Sequence, residues 1–151
     1  PGPDDRRVRT SRGADAARAL RARVPALVGV VHHVNATTGG AIFHDATLDG
    51  SDALLAGQAT LDERIGDVRL RLSARAFAQA NRGQALRLYQ EIWRTTRAGE
   101  RVIDLYTGVG PIALGMARAG ARVLGVENHA QALADARAAA DSTGLDPAPA
   151  W

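Results

Sequence analysis

The sequence predicts an α/β chain: a small β-rich region followed by the first part of a parallel-sheet domain. Three observations predict it. Residues 102–129, "VIDLYTGVGPIALGMARAGARVLGVENH", order an apolar run, an acid, a glycine turn, a helical stretch, a second apolar run and a second acid. Residues 26–72 carry short strand-like runs separated by turn residues, with Val68, Leu70 and Leu72 alternating with charge. From Phe77 to Thr96 the period changes, and Ala85, Leu88, Tyr89 and Ile92 fall on one helical stripe.

Each element follows in chain order. The first 23 residues hold seven arginines against Asp4, Asp5 and Asp15, a local charge of +4 in a chain whose net charge is +3. Such a segment suits phosphate contacts, since guanidinium forks match phosphate oxygens, and equally suits a solvated linker or helix face. "ALVGVVHHVN" and "TTGGAIFHD" read as strands, and "ALLAGQATLDERIGDVRLRLS" as two more with the bend at Gly66-Asp67. A long helix is expected over 78–96, closed by Gly99.

Val102, Ile103 and Leu105 then form an apolar run of the kind a strand buried on both faces shows. Gly108 and Gly110 permit a tight turn and close backbone approach. Pro111 suits the first turn of a helix over 111–118, where its missing N–H costs nothing. "RVLGVE" is the second parallel strand, ending on Glu127, and a further helix runs to about residue 143.

Composition limits the chemistry. The 151 residues are 46% hydrophobic but only 4% aromatic, so aliphatic side chains and alanine must fill the core. No stretch approaches the ~20 apolar residues of a membrane helix. With no cysteine there is no disulfide, thiolate metal site or cysteine nucleophile. His32 and His33 adjoin in a strand and point to opposite faces, and His44 and His129 are isolated, so no metal is expected. The chain begins with Pro1 and reads as a piece of a longer protein that ends after two strands of the parallel sheet.

The glycine turn selects among cofactors. A dinucleotide site wants G-x-G-x-x-G, but Ala113 stands at the third position. The pattern here is instead D-x-x-x-G-x-G, from Asp104 through Gly108 to Gly110. That form suits S-adenosylmethionine (SAM), which has no pyrophosphate, whose sulfonium and amino group favour carboxylates, and whose ribose wants an acceptor pair. Glu127 lies 17 residues beyond Gly110, close to the spacing of a second-strand ribose ligand.

The segment "LSARAFAQANRGQALRLYQEIW", followed by "VIDLYTGVGPIALGMARAGARVLGVE", resembles the SAM-dependent RNA uracil-5-methyltransferases. Phe77, Gln79 and Asn81 match that family's Phe-x-Gln-x-Asn element, and Asp104 through Gly110 match its Asp-Leu-Tyr-x-Gly-x-Gly turn. The resemblance runs from about Ala26 to Leu145. It implies an incomplete Rossmann-like SAM-methyltransferase domain over 76–151 and a β-rich central region over 26–75, and the arginine-rich start is set apart as a basic segment over 1–25.

The resemblance further implies a cytoplasmic enzyme methylating carbon 5 of uridine in rRNA or tRNA. Gln79, Tyr106 and Glu127 would contact SAM, alongside Asp104, Gly108 and Gly110 of the turn. Helix capping is the plainer reading of Gln79 and Asn81, a solvated strand end that of Glu127, and filling of the sheet edge that of Tyr106. In the family a cysteine thiolate adds to carbon 6, the resulting enolate takes the methyl group, and a carboxylate base removes the hydrogen at carbon 5. Both residues lie downstream of the glycine turn, so no catalytic residue is assigned here. The iron–sulfur cluster of some members would need cysteines. A non-catalytic RNA- or protein-binding module with a remnant SAM fold, and a SAM methyltransferase with a non-RNA substrate, remain the alternatives.

Overall fold

A computed structural model describes residues 3–33, 52–145 and 149–151, with residues 3–11 and Asp52 described by backbone alone. The expected strand in "TTGGAIFHD" and His44 lie outside the described residues. The chain divides into two compact units, Pro1–Leu61 and Asp62–Trp151.

In the first unit the basic segment is a helix, α1 (Pro3–Arg23), and not a linker. Arg21 and Arg23 stand in its last turn, where the helix dipole favours cations. Arg21 Nε also donates to the Leu27 carbonyl at 3.2 Å, which fixes the exit of the chain. Strands β1 (Gly29–His33) and β2 (Asp52–Gly57) pair antiparallel, with a register shift between Val30 and Val31. The helix packs on β2 through buried Ala17 and through Gly13, beside Leu55.

The sequence suggested two strands between Ala53 and Ser73, and the structure has three. After β2 come β3 (Thr60–Ile65) and β4 (Val68–Ser73), a hairpin turning at Gly66-Asp67. Gly66 has φ +58, a conformation that costs a bulky residue and not glycine. Along β4, Val68 and Leu70 are buried while Arg69 and Arg71 are exposed, as the alternation in the sequence requires.

The helix expected over 78–96 is shorter: α2 runs Arg82–Thr95. Residues 74–81 are irregular because the Asn81 side chain caps the helix, accepting from Gln84 N at 3.1 Å. For Asn81 the capping reading therefore holds. Gln79 lies outside the helix, and among the described residues it caps none.

Strand β5 (Arg101–Leu105), helix α3 (Pro111–Arg118) and strand β6 (Arg122–Val126) fall where the sequence placed them. The two strands pair parallel in register, Arg101 against Arg122 through Leu105 against Val126. Helix α4 (Ala130–Thr143) follows and ends at Gly144, φ +59.

The sheet has two strands, as expected, and Ala150 adds an isolated parallel bridge to Leu124, donating to Val123 O and accepting from Gly125 N, both at 2.8 Å. One correction concerns this sheet: β5 is not buried on both faces. Val102 and Asp104 are half-buried and Val123 is buried, whereas Ile103, Leu105, Leu124 and Val126 are exposed. Helix α3 packs against the sheet, and among the described residues nothing covers the face of those four.

The core of the second unit joins the hairpin to the helices. Ile65, Val68, Leu70, Ala85, Tyr89, Val109, Leu114, Ala132, Ala139 and Ala140 form its larger cluster. Ala113, Ala117, Ala121 and Val123 form a smaller one between α3 and β6. With so few aromatic rings, closeness of approach replaces bulk. Trp93 of α2 lies on Gly115 of α3, and a Cβ at Gly115 would stand 2.0 Å from the indole Nε1. Gly115→Ala should therefore destabilise the chain by about 1–2 kcal/mol, overpacking outweighing the better helix propensity of alanine. Urea unfolding of the variant checks this, and a gain in stability would show that Trp93 moves aside freely.

Candidate cofactor site

The site is the carboxyl end of β5 and β6, where parallel strands of this kind leave a crevice. Asp104 is the last-but-one residue of β5. Its Oδ2 accepts from Thr107 Oγ1 at 2.7 Å, so the first acid stiffens the turn that follows it. Thr107 is buried, and its N–H donates to Val126 O at 3.1 Å, carrying the strand ladder one step past Leu105. Thr107 O then accepts from Gly110 N at 2.9 Å, closing the turn.

Three residues of this turn have positive φ: Tyr106 at 59°, Gly108 at 58° and Gly110 at 81°. The glycines adopt this without strain. Tyr106 does not, because a side chain in the left-handed region costs on the order of 1 kcal/mol or more. Its ring is 86% exposed, so it does not fill the sheet edge, and no burial offsets that strain. Gly108 faces open space where a side chain would stand. Gly110 is different: a Cβ there would meet Trp151 at 2.9 Å, so its glycine is demanded by packing.

Glu127 joins the two strand ends. Its Oε2 accepts from Gly108 N at 3.0 Å, and its Oε1 accepts from Asn128 N at 2.8 Å and His129 N at 3.0 Å. It is not a loose, solvated strand end. Three of the four lone-pair positions of a carboxylate are engaged, and the remaining one belongs to Oε2. Partial burial alone would raise its pKa, but the N–H groups of His129, Gly108 and Asn128 and the nearby His129 side chain outweigh it. The net shift is below the ordinary glutamate range.

His129 has a role the sequence reading missed. Its Nδ1 accepts from Ala132 N at 3.1 Å and caps α4. Its place just before an alanine-rich helix was the available signal, though histidine is not among the favoured caps.

The structure thus brings Asp104, Gly108, Gly110 and Glu127 into one hydrogen-bonded turn. Among the described residues no bond links Gln79 or the Tyr106 side chain to it. Gln79 is exposed, in the irregular segment before α2. Among the described residues no group of three His, Cys, Asp or Glu side chains is placed to hold a metal ion, and no helix is long and apolar enough to cross a membrane.

No protein-family model matches the chain. Individual proteins do. An uncharacterized RNA methyltransferase of Halalkalibacterium halodurans is 34% identical over 128 residues, 83% of this chain and 27% of that protein. Another, of Lactiplantibacillus plantarum, is 36% identical over 128 residues with the same coverage of each chain. Over 83% of its length this chain is similar in sequence to RNA methyltransferases. It spans 27% of the length of those relatives.

Solved structures agree on the fold. The Pyrococcus abyssi tRNA (uracil-54, C5)-methyltransferase, crystallised with S-adenosyl-L-homocysteine, superimposes with a TM-score of 0.70 at 23% identity, over 87% of this chain and 31% of that one. A SAM-dependent methyltransferase of Agrobacterium tumefaciens gives 0.53 at 22% identity, over 64% of this chain and 32% of that one. The second unit of this chain is accordingly Rossmann-like, as its sequence predicted, with small strand pairs preceding the parallel sheet.

The lowered pKa of Glu127 has a consequence for stability. The three N–H groups bind the carboxylate form, so what they add is fully present above the ordinary glutamate range. It is lost as pH falls through the lowered folded-state value. Urea unfolding between neutral pH and about pH 3 should show Glu127→Gln less stable than the parent at neutral pH, with the two converging in acid. Parallel pH profiles for the two proteins would contradict the assignment.

Proposed function

We propose that this chain is the SAM-binding portion of an RNA methyltransferase that methylates carbon 5 of uridine in rRNA or tRNA, acting in the cytoplasm. The observation that carries the reading is the closure of the glycine turn by Glu127. One acid shapes the turn from each strand: Asp104 through Thr107, Glu127 through Gly108. The open space at Gly108 leaves room for a ligand to approach the backbone.

These residues fit SAM in chemistry. SAM supplies an electrophilic methyl group on a sulfonium. Toward its cationic end the chain offers Asp104, a carboxylate. Toward its ribose it offers Glu127, whose Oε2 keeps an acceptor position for a hydroxyl. Gripping two hydroxyls would require one of the donors on Oε1, Asn128 N or His129 N, to yield its place. Tyr106 presents a ring to cover the ligand, which gives its strained backbone a purpose. Gln79 has an amide able to donate and accept toward the methionine end.

The uridine specificity rests on the paired Phe-x-Gln-x-Asn and Asp-Leu-Tyr-x-Gly-x-Gly elements, and on likeness to an enzyme whose name states that chemistry. The nucleophile that attacks carbon 6 in this reading is a cysteine, and these 151 residues contain none.

Two outcomes test the reading. Glu127→Ala should weaken binding of S-adenosyl-L-homocysteine by about 1.5–3 kcal/mol, the range for hydrogen bonds to a charged group, and unchanged affinity by calorimetry would remove Glu127 from the site. Residues 1–151 alone should transfer no label from methyl-labelled SAM to uracil-containing RNA, while the whole protein labels carbon 5. Detection of 5-methyluridine from the 151-residue chain would sink the assignment of a cysteine nucleophile.

A further inference from the structure

Asp135 is 2% exposed, with Leu114 one of the largest fully buried side chains among the described residues, and nothing in the proposed chemistry uses it. It lies midway along α4, one and a half turns past the His129 cap. Burying a carboxylate is costly unless its oxygens are engaged, and both are. Oδ2 accepts from the backbone N–H of Ser73 at 2.8 Å, and Oδ1 accepts from Gln131 Nε2 at 3.2 Å. The Ser73 bond spans 62 residues of sequence.

What that bond holds is the informative part. Ser73 is the last residue of β4, and the irregular segment 74–81 with Phe77 and Gln79 starts directly after it. A turn bond from Ala76 N to Ser73 O, 3.0 Å, carries the restraint into the segment. At its far end Asn81 is fastened to α2 through the cap on Gln84 N. Segment 74–81 is therefore clamped at both ends, and its β4 end is clamped to α4. That helix begins three residues after Glu127.

We infer that Asp135 is a positioning residue for the cofactor: it sets the Gln79 segment at a fixed distance from the Glu127 end of β6. The inference rests on the proposed role of Gln79 and Glu127 in binding SAM and deepens it. An apolar residue in this position would fill the core equally well. An acceptor is needed here because the Ser73 N–H, at the end of a strand, would otherwise be left without a partner.

The test is a double-mutant cycle on the 151-residue chain, with S-adenosyl-L-homocysteine as the probe. Gln79→Ala and Asp135→Leu should each weaken binding about three- to tenfold, the effect of one lost hydrogen bond. The double variant should bind no worse than the weaker single one, because a displaced Gln79 has nothing more to lose. Asp135→Asn keeps an acceptor for Ser73 and should restore most of the affinity. Multiplying effects, or unchanged affinity in Asp135→Leu, would overturn the inference.

Hydrogen exchange of the ligand-free chain separates this from failure of the cofactor reading. Faster exchange across residues 74–80 in Asp135→Leu, with the amides of β5 and β6 unchanged, supports the clamp. Uniform acceleration throughout the second unit, or none, would overturn it. If Gln79→Ala leaves the affinity unchanged, Gln79 leaves the site, and the positioning role falls with it even though the clamp is real.

Discussion

The hydrogen bond from Gly108 N to Glu127 Oε2 is the constraint on which the candidate site depends. Parallel strands end with their last carbonyls and amides unpaired, and the chain leaves each strand in a different direction. Here the ladder is prolonged by Thr107 N on Val126 O, and then the Glu127 side chain crosses to the glycine turn. One carboxylate thereby fixes the turn after β5, the turn after β6 and the approach to α4. Glutamate suits this because it is an acceptor at both oxygens and long enough to reach backbone on two segments. The same contacts explain why its proton is lost more readily than usual: every donor it meets favours the charged form.

The packing beneath this turn follows from having little aromatic bulk. The buried surface of α3 and α4 is mostly alanine, and such helices gain contact only by lying close. Glycines supply the remaining clearance. Trp93 needs Gly115, and Trp151 needs both Gly110 and Gly125, where a Cβ would stand 2.6 Å from its ring. Gly110 thus serves two masters, the left-handed turn at the start of α3 and the seat of Trp151. A sequence motif that looks like a ligand signature is in part a packing requirement.

That double use marks what was legible in the sequence. The order and positions of the β5–α3–β6 unit were, because apolar runs, Pro111 and two glycines all encode the same local geometry. The candidate turn was legible for the same reason. The start of α2 was not: the helical stripe places Ala85 and Tyr89 in the core, though Leu88 of the same stripe is 55% exposed, and it does not say where the first turn closes, which Asn81 decides. The bridge at Ala150 was not foreseen because Ala150 has no strand pattern of its own and is recruited by Val123 and Gly125. Gly57 to Thr60 was read through because two strands separated by Gln58 and Ala59 look like one long run. Asp135 was invisible, since a lone acid in an alanine-rich helix looks solvated until a strand end 62 residues earlier is placed against it.

Two carboxylates therefore organise this half of the fold in complementary ways. Glu127 is partly open and holds backbone amides it shares a turn with, so it can trade one of them for a ligand hydroxyl at small cost. Asp135 is sealed from water and holds an amide it cannot trade, because no solvent is available to take its place. An exchangeable bond is useful where a ligand must enter and leave. A non-exchangeable one is useful where a loop must wait in position for it. The exchangeability of the two sets of bonds follows burial, and the burial of Asp135 is set by where the helix that carries it meets the end of β4.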